Sequence, residues 1–174
     1  MFKHLRTLML TGAAGLLVMG SAFAGPSPQT TTILVSANVI KSCNVSATAL
    51  AFGTYDPLSG TNTTGTSTVN VQCTKTTVAT MELNGGVNGT LAQRQMKDTG
   101  SSTDLLNYQL YTTSGNTAVW GDGTGGTSTQ SYTSTSAATV QPFTVYGTIP
   151  SGQNVTPSSV ANSYQDTITV TVTF

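Results

Sequence analysis

The sequence predicts an all-β protein: a single antiparallel β-sandwich that follows an N-terminal export segment. Three observations point there. Apolar residues alternate with polar ones in several short runs, a period of two that marks half-buried strands. Clusters of Gly, Asn, Asp, Ser and Pro separate these runs. No run in the chain after the export segment carries the 3.6-residue period of an amphipathic helix.

Taken in order, the 174-residue chain begins with Lys3 and Arg6, an apolar stretch over residues 8–19 and the small-x-small sequence Ala22-Phe23-Ala24. This is the pattern of a secretory signal peptide, with cleavage expected after Ala24. The alternative, a membrane anchor, needs a longer apolar run to cross about 30 Å of hydrocarbon. Residues 25–174 then suffice for one domain.

Along that domain Ile33, Val35, Ala37 and Val39 share one parity. So do Val69, Val71 and Cys73, then Ala79, Met81 and Leu83, then Leu106, Tyr108 and Leu110. Phe143, Val145 and Ile149 follow with Gly147 between them, and residues 164–174 end in Ile168, Val170, Val172 and Phe174 alternating with threonines. Reversals are expected at Asp56-Pro57, Asn84-Gly85-Gly86, Asn88-Gly89, Ser114-Gly115-Asn116 and Gly121-Asp122-Gly123. Six to eight such strands suit a sandwich. Residues 59–68 and 124–138, rich in Gly, Ser and Thr, read as long surface loops.

After removal of the leader, Lys41, Lys75, Arg94 and Lys97 face Asp56, Glu82, Asp98, Asp104, Asp122 and Asp166, a net charge of −2. No basic patch exists, so nucleic acid is not expected as a partner. Ser and Thr supply the polarity that charge supplies elsewhere. The single histidine, His4, lies in the leader. A Ser-His-Asp or Cys-His arrangement, or a histidine zinc site, therefore has no imidazole to work with, and no enzyme or cofactor is expected. Cys43 and Cys73 enter an oxidising compartment, where a bridge is the default; a free thiol is the alternative.

Sharper motifs have plain counterparts. The glycine-rich run at residues 121–126 lacks the Lys-Ser/Thr of a phosphate loop and reads as a hairpin. Calcium at Asp122 would have one carboxylate. Asp56, Asp104, Asp122 and Asp166 could pair as glycosidase acids, but turn and cap roles fit them better. Trp120, Tyr55, Tyr108, Tyr111, Tyr132 and Tyr146 could stack on sugars, although a sandwich normally uses such rings in its core.

The ends of the chain are unusual. Residues 30–40 alternate without a preceding turn, and the chain stops on Phe174 inside an apolar strand pattern whose free edge needs a partner. Together with Cys43-Asn44-Val45, Leu50-Ala51-Phe52-Gly53-Thr54-Tyr55-Asp56-Pro57, Leu106-Asn107-Tyr108-Gln109-Leu110-Tyr111, Val119-Trp120-Gly121-Asp122-Gly123 and Tyr164-Gln165-Asp166-Thr167-Ile168, these features resemble the spore coat U domain family. That family is grouped with the pilins of archaic chaperone–usher systems such as the Csu pili. The resemblance covers nearly all of residues 25–174.

It implies an incomplete immunoglobulin-like, pilin-type sandwich. A periplasmic pilus chaperone would complete it first, and then the N-terminal segment of a like subunit in a fibre, after passage through an outer-membrane usher. The donor would lie within residues 28–39, with Ile33, Val35 and Ala37 as plugs. The acceptor groove, and the strand offered to the chaperone, would carry Ile168, Val170, Val172 and Phe174. Attachment and biofilm formation at the cell surface follow from the resemblance. A secreted, non-fibrous coat or matrix protein of the same fold and a carbohydrate-binding adhesin are the alternatives. Asn162 stands where many members carry glycine, and only 18 residues lie between the cleavage site and Cys43, part of which should form the first strand.

Overall fold

The computed structural model describes residues 25, 27–100 and 102–174, so the expected signal peptide over 1–24 lies outside the described residues. The chain divides into two units, Met1–Ala37 and Asn38–Phe174. Every element below belongs to the second.

Nine strands are seen among the described residues: β1 (Cys43–Ala47), β2 (Thr63–Cys73), β3 (Val78–Leu83), β4 (Arg94–Asp98), β5 (Leu105–Tyr111), β6 (Gln130–Thr133), β7 (Gln141–Ile149), β8 (Tyr164–Gln165) and β9 (Val170–Thr173). They form a six-stranded sheet in the order β1-β2-β7-β5-β4-β8 and a three-stranded sheet in the order β6-β3-β9. All strand pairs are antiparallel.

The period-two reading places the core correctly. Val69, Val71 and Cys73 of β2, Ala79, Met81 and Leu83 of β3, Leu106, Tyr108 and Leu110 of β5, and Val145 and Ile149 of β7 are all buried in one cluster. Trp120 joins them fully buried, its indole N–H donating to the Met81 carbonyl at 3.1 Å. Burying a ring of this size without an unpaired N–H satisfies both its apolar and its polar demand.

Four expectations are corrected. Residues 59–68 are not one loop, because β2 starts at Thr63. Its outward threonines fit the pleat, and an unbroken ladder with β7 runs from Thr63↔Ile149 to Val71↔Gln141. The second supposed loop, 124–138, contains β6, which pairs with β3 and sets Tyr132 against Phe143 with ring centroids 5.7 Å apart. The C-terminal pattern over 164–174 is two strands in different sheets. β8 pairs with β4 and β9 with β3, and the chain crosses between the sheets over residues 166–169.

Finally, the alternating run over residues 33–39 forms no strand, and the first strand begins at Cys43. Alternation makes a strand possible, but a ladder partner is what stabilises it.

Two local solutions show why the sheets end where they do. Pro150 has no N–H with which to extend β7 along β5. Gln153 takes over instead: its side-chain amide accepts from Asn107 N at 2.7 Å and donates to Asn107 O at 2.8 Å. Asn162, the departure from glycine, has φ +55°, a left-handed conformation that asparagine tolerates. The turn is thereby kept.

Candidate functional site

Between the two sheets of the second unit lies a groove of about 920 Å³. Its floor is the inward face of the large sheet, including Val69, Leu106, Tyr108, Leu110, Val145 and Ile149. One wall is Leu83 with Ile168 and Val170, at the β9 edge of the small sheet. The other is the irregular segment after β1, which lays Leu50 and Phe52 against the floor.

That segment can lie flat because Gly65 and Gly147 face each other across the β2–β7 ladder. A Cβ on Gly147 would stand 2.8 Å from Phe52 Cζ and 2.9 Å from Leu50 Cδ1; one on Gly65 would stand 3.1 Å from Leu50 Cδ2. Phe52 also meets Tyr108 edge-on at 6.1 Å. Glycine inside an alternating strand marks a close approach, and Gly147 in its apolar run was the visible signal.

At the Asp166 end of the groove, two buried polar side chains of the large sheet, Tyr108 and Arg94, are held by hydrogen bonds. The Tyr108 hydroxyl donates to Asp166 Oδ2 at 2.7 Å. Burial first, and the neighbouring carboxylate second, push its pKa far above the ordinary phenol value, so it remains a donor at any physiological pH. Arg94 is wholly buried and has neutral hydrogen-bond partners. Its guanidinium donates to Asn84 O at 2.9 and 2.8 Å, to Trp120 O at 2.7 Å and to Gln109 Oε1. Burial lowers its pKa, opposed by the charge of Asp166. This arginine was not foreseen, since it sits at the start of β4 with no companion in sequence.

The residues singled out from the sequence divide. Cys43 and Cys73 form the first pair of the β1–β2 ladder and are joined by a disulfide. Ile168 and Val170 line the groove; Val172 packs on the core outside it, and Phe174 is 51% exposed. Ile33 and Val35 are 84% and 87% exposed, and Ala37 is exposed as well.

Asp56 accepts from Leu58 N and Asp122 from Thr124 N, the turn roles expected, whereas Asp104 departs from that expectation: it accepts from Thr156 N and Thr156 Oγ1, 52 residues away, and ties two distant segments together. Asp166 differs, because it lines the groove. Burial of Trp120 and Tyr108 removes two rings from any sugar platform. Among the described residues no cluster of three or more metal-ligating side chains occurs.

Comparison with known proteins fits this geometry. The Spore Coat Protein U domain model matches residues 29–171. The chain belongs to the Spore Coat Protein U domain family. Within it, the chain is similar to Protein U of Myxococcus xanthus, 34% identical over 180 residues that cover 95% of this chain and 94% of that protein.

Among solved structures it resembles the chaperone–tip adhesion subunit pre-assembly complex CsuC–CsuE of the archaic chaperone–usher Csu pili of Acinetobacter baumannii. The TM-score is 0.55 at 23% identity, over 78% of this chain. The match spans 40% of the solved chain, so the likeness is one of fold. The all-β, immunoglobulin-like fold expected from the resemblance is thus the fold of this member.

Proposed function

We propose that this Spore Coat Protein U domain protein is a pilin-like subunit. It is exported through the periplasm, held there by a chaperone and polymerised at the surface by strand donation between like copies. One observation carries the reading: the core is open along a groove whose wall is β9, the edge strand of its sheet, with no ladder partner on its outer side among the described residues. An apolar trench beside free ladder groups is the acceptor that an extended, alternating segment fits.

The chain also contains such a segment, residues 28–39, with Ile33, Val35 and Ala37 as the side chains that would enter the groove. These three are exposed rather than spent on packing. Ile168 and Val170 would receive them, with Val172 and Phe174 continuing the strand offered to the chaperone. The outer-membrane usher, attachment and biofilm formation belong to the same proposal. The mechanism is non-covalent, with no cofactor and no enzymatic step.

Deleting residues 25–35 tests the donor. The shortened protein should still be recovered with the chaperone of its own operon and should form no fibres. Fibres of normal length from it would reject the assignment.

The likeness to Protein U across almost its whole length supports a second reading, a non-fibrous coat or matrix protein of this fold. In that case the protein recovered from the cell surface should be a long-lived monomer by size exclusion and show no filaments by electron microscopy.

A further inference from the structure

The β9 edge is short and held unevenly. Its four residues pair with β3 from Leu83↔Val170 to Thr80↔Thr173, whereas residues 166–169, which carry Ile168 into the groove, lie in no strand. This crossover is fastened by one backbone bond and otherwise by side chains.

Asn84 Oδ1 accepts from Thr169 N at 2.9 Å and from Gly86 N at 3.1 Å, while Asn84 N donates to Thr169 O at 3.1 Å. Asp166 Oδ1 accepts from Val87 N at 2.9 Å, Thr167 N at 2.9 Å and Asn88 Nδ2 at 3.2 Å. Its Oδ2 accepts from the Tyr108 hydroxyl.

The turn is shaped around this carboxylate. Gly86 has φ +82°, and a Cβ there would lie 2.0 Å from Asp166 Oδ2. The buried Arg94 holds the same turn from below through Asn84 O.

We propose that Asp166 and Asn84 form a clasp that ties the sheet-to-sheet crossover to the turn after β3 and so holds the β9 edge and Ile168 in the strand-accepting position. Asp166 is then a positioning residue for strand capture. The inference rests on the donor-strand reading above.

Its physical basis is a population. With the clasp intact, the groove is open and the edge is set before a strand arrives. Without it, the four-residue strand is fastened at one end only and Ile168 is free to fold into the apolar trench. The apparent association rate then falls with the fraction of molecules that remain competent. Dissociation hardly changes, because a captured strand supplies β9 with a second ladder partner that takes over from the clasp.

The test uses the full exported protein with its disulfide intact and a fluorescent peptide of residues 28–39. Association and dissociation are followed by anisotropy at 25 °C. Asp166→Asn should associate about tenfold more slowly, as expected if one molecule in ten is competent, with dissociation within about twofold of wild type. Association at the wild-type rate, or a weakening that appears in dissociation alone, overturns the clasp.

Should Asp166→Asn fail to fold, Tyr108→Phe and Asn88→Ala each remove one contact to the same carboxylate. Wild-type association in both overturns the proposal equally. If the wild-type protein takes up no peptide, the donor-strand reading itself fails, a result separate from any difference among variants.

Discussion

Asp98, at the end of β4, is buried, and its carboxylate accepts from Ser102 Oγ at 2.7 Å, Ser102 N at 3.0 Å and Gly100 N at 3.0 Å. The Ser102 hydroxyl chiefly, and the Gly100 amide next, hold its pKa below the usual carboxylate range. A lowered folded-state pKa gives stability that is fully present above the ordinary value, near 3.9, and is lost as pH falls through the folded value. Thermal melts between pH 7 and pH 2 should therefore show a loss of stability confined to the acid end. Asp98→Asn should flatten that loss; an unchanged acid profile in this variant would remove Asp98 as its source.

The residue scale also shows what sequence reading reaches. Asp56 was legible as a turn residue because its function is local: it binds the backbone two positions on. Asp166 and Arg94 were not, since, the adjacent Thr167 N apart, their partners are contributed by turns and strands 58 to 79 residues away for Asp166 and up to 26 residues away for Arg94. Nothing in the spacing of a lone acid or base announces such a contact.

At the scale of elements, the disulfide and the glycine pair make opposite demands on β2. The Cys43–Cys73 bridge ties the short edge strand β1 to it across a separation of 30 residues. In the chain-entropy account such a closure contributes about 3–4 kcal/mol by restricting the unfolded chain. The double variant Cys43→Ala/Cys73→Ala should lose about that much in urea denaturation, and a loss under about 1 kcal/mol would leave the bridge without a stabilising role.

Gly65 and Gly147 instead remove side chains so that Leu50 and Phe52 can lie close to the sheet. Gly147→Ala should cost about 1–3 kcal/mol by overpacking and lift Phe52 toward the groove, slowing capture of a 28–39 peptide. Full stability together with normal capture would show that the wall is not set by this contact.

Alternation located β2, β3, β5 and β7 because each has both faces defined, one in the core and one wet. It failed at β6, whose sequence is uniformly polar apart from Tyr132, and at 164–174, where one unbroken pattern is divided between two sheets. Periodicity reports which face is apolar. It carries no information about which sheet supplies the ladder, nor about the long-range hydrogen bonds of Asn84 and Asp166 that accompany the crossover.

For the second unit as a whole, the consequence is a sandwich whose core, among the described residues, lies open along the groove. A fibre built by filling such grooves would resist dissociation kinetically, because removing a strand breaks many ladder bonds and re-exposes the apolar trench together. Charge contributes little to such cohesion when residues 25–174 carry four cations and six anions, so the fibre should tolerate salt.

The most direct measurement places a photocrosslinking amino acid at Val35 in assembled surface material and maps the adducts by mass spectrometry with mixed isotope labels. The account predicts adducts between copies, centred on Leu50, Ile168 and Val170. Adducts confined to one copy, or none to the groove, would contradict it.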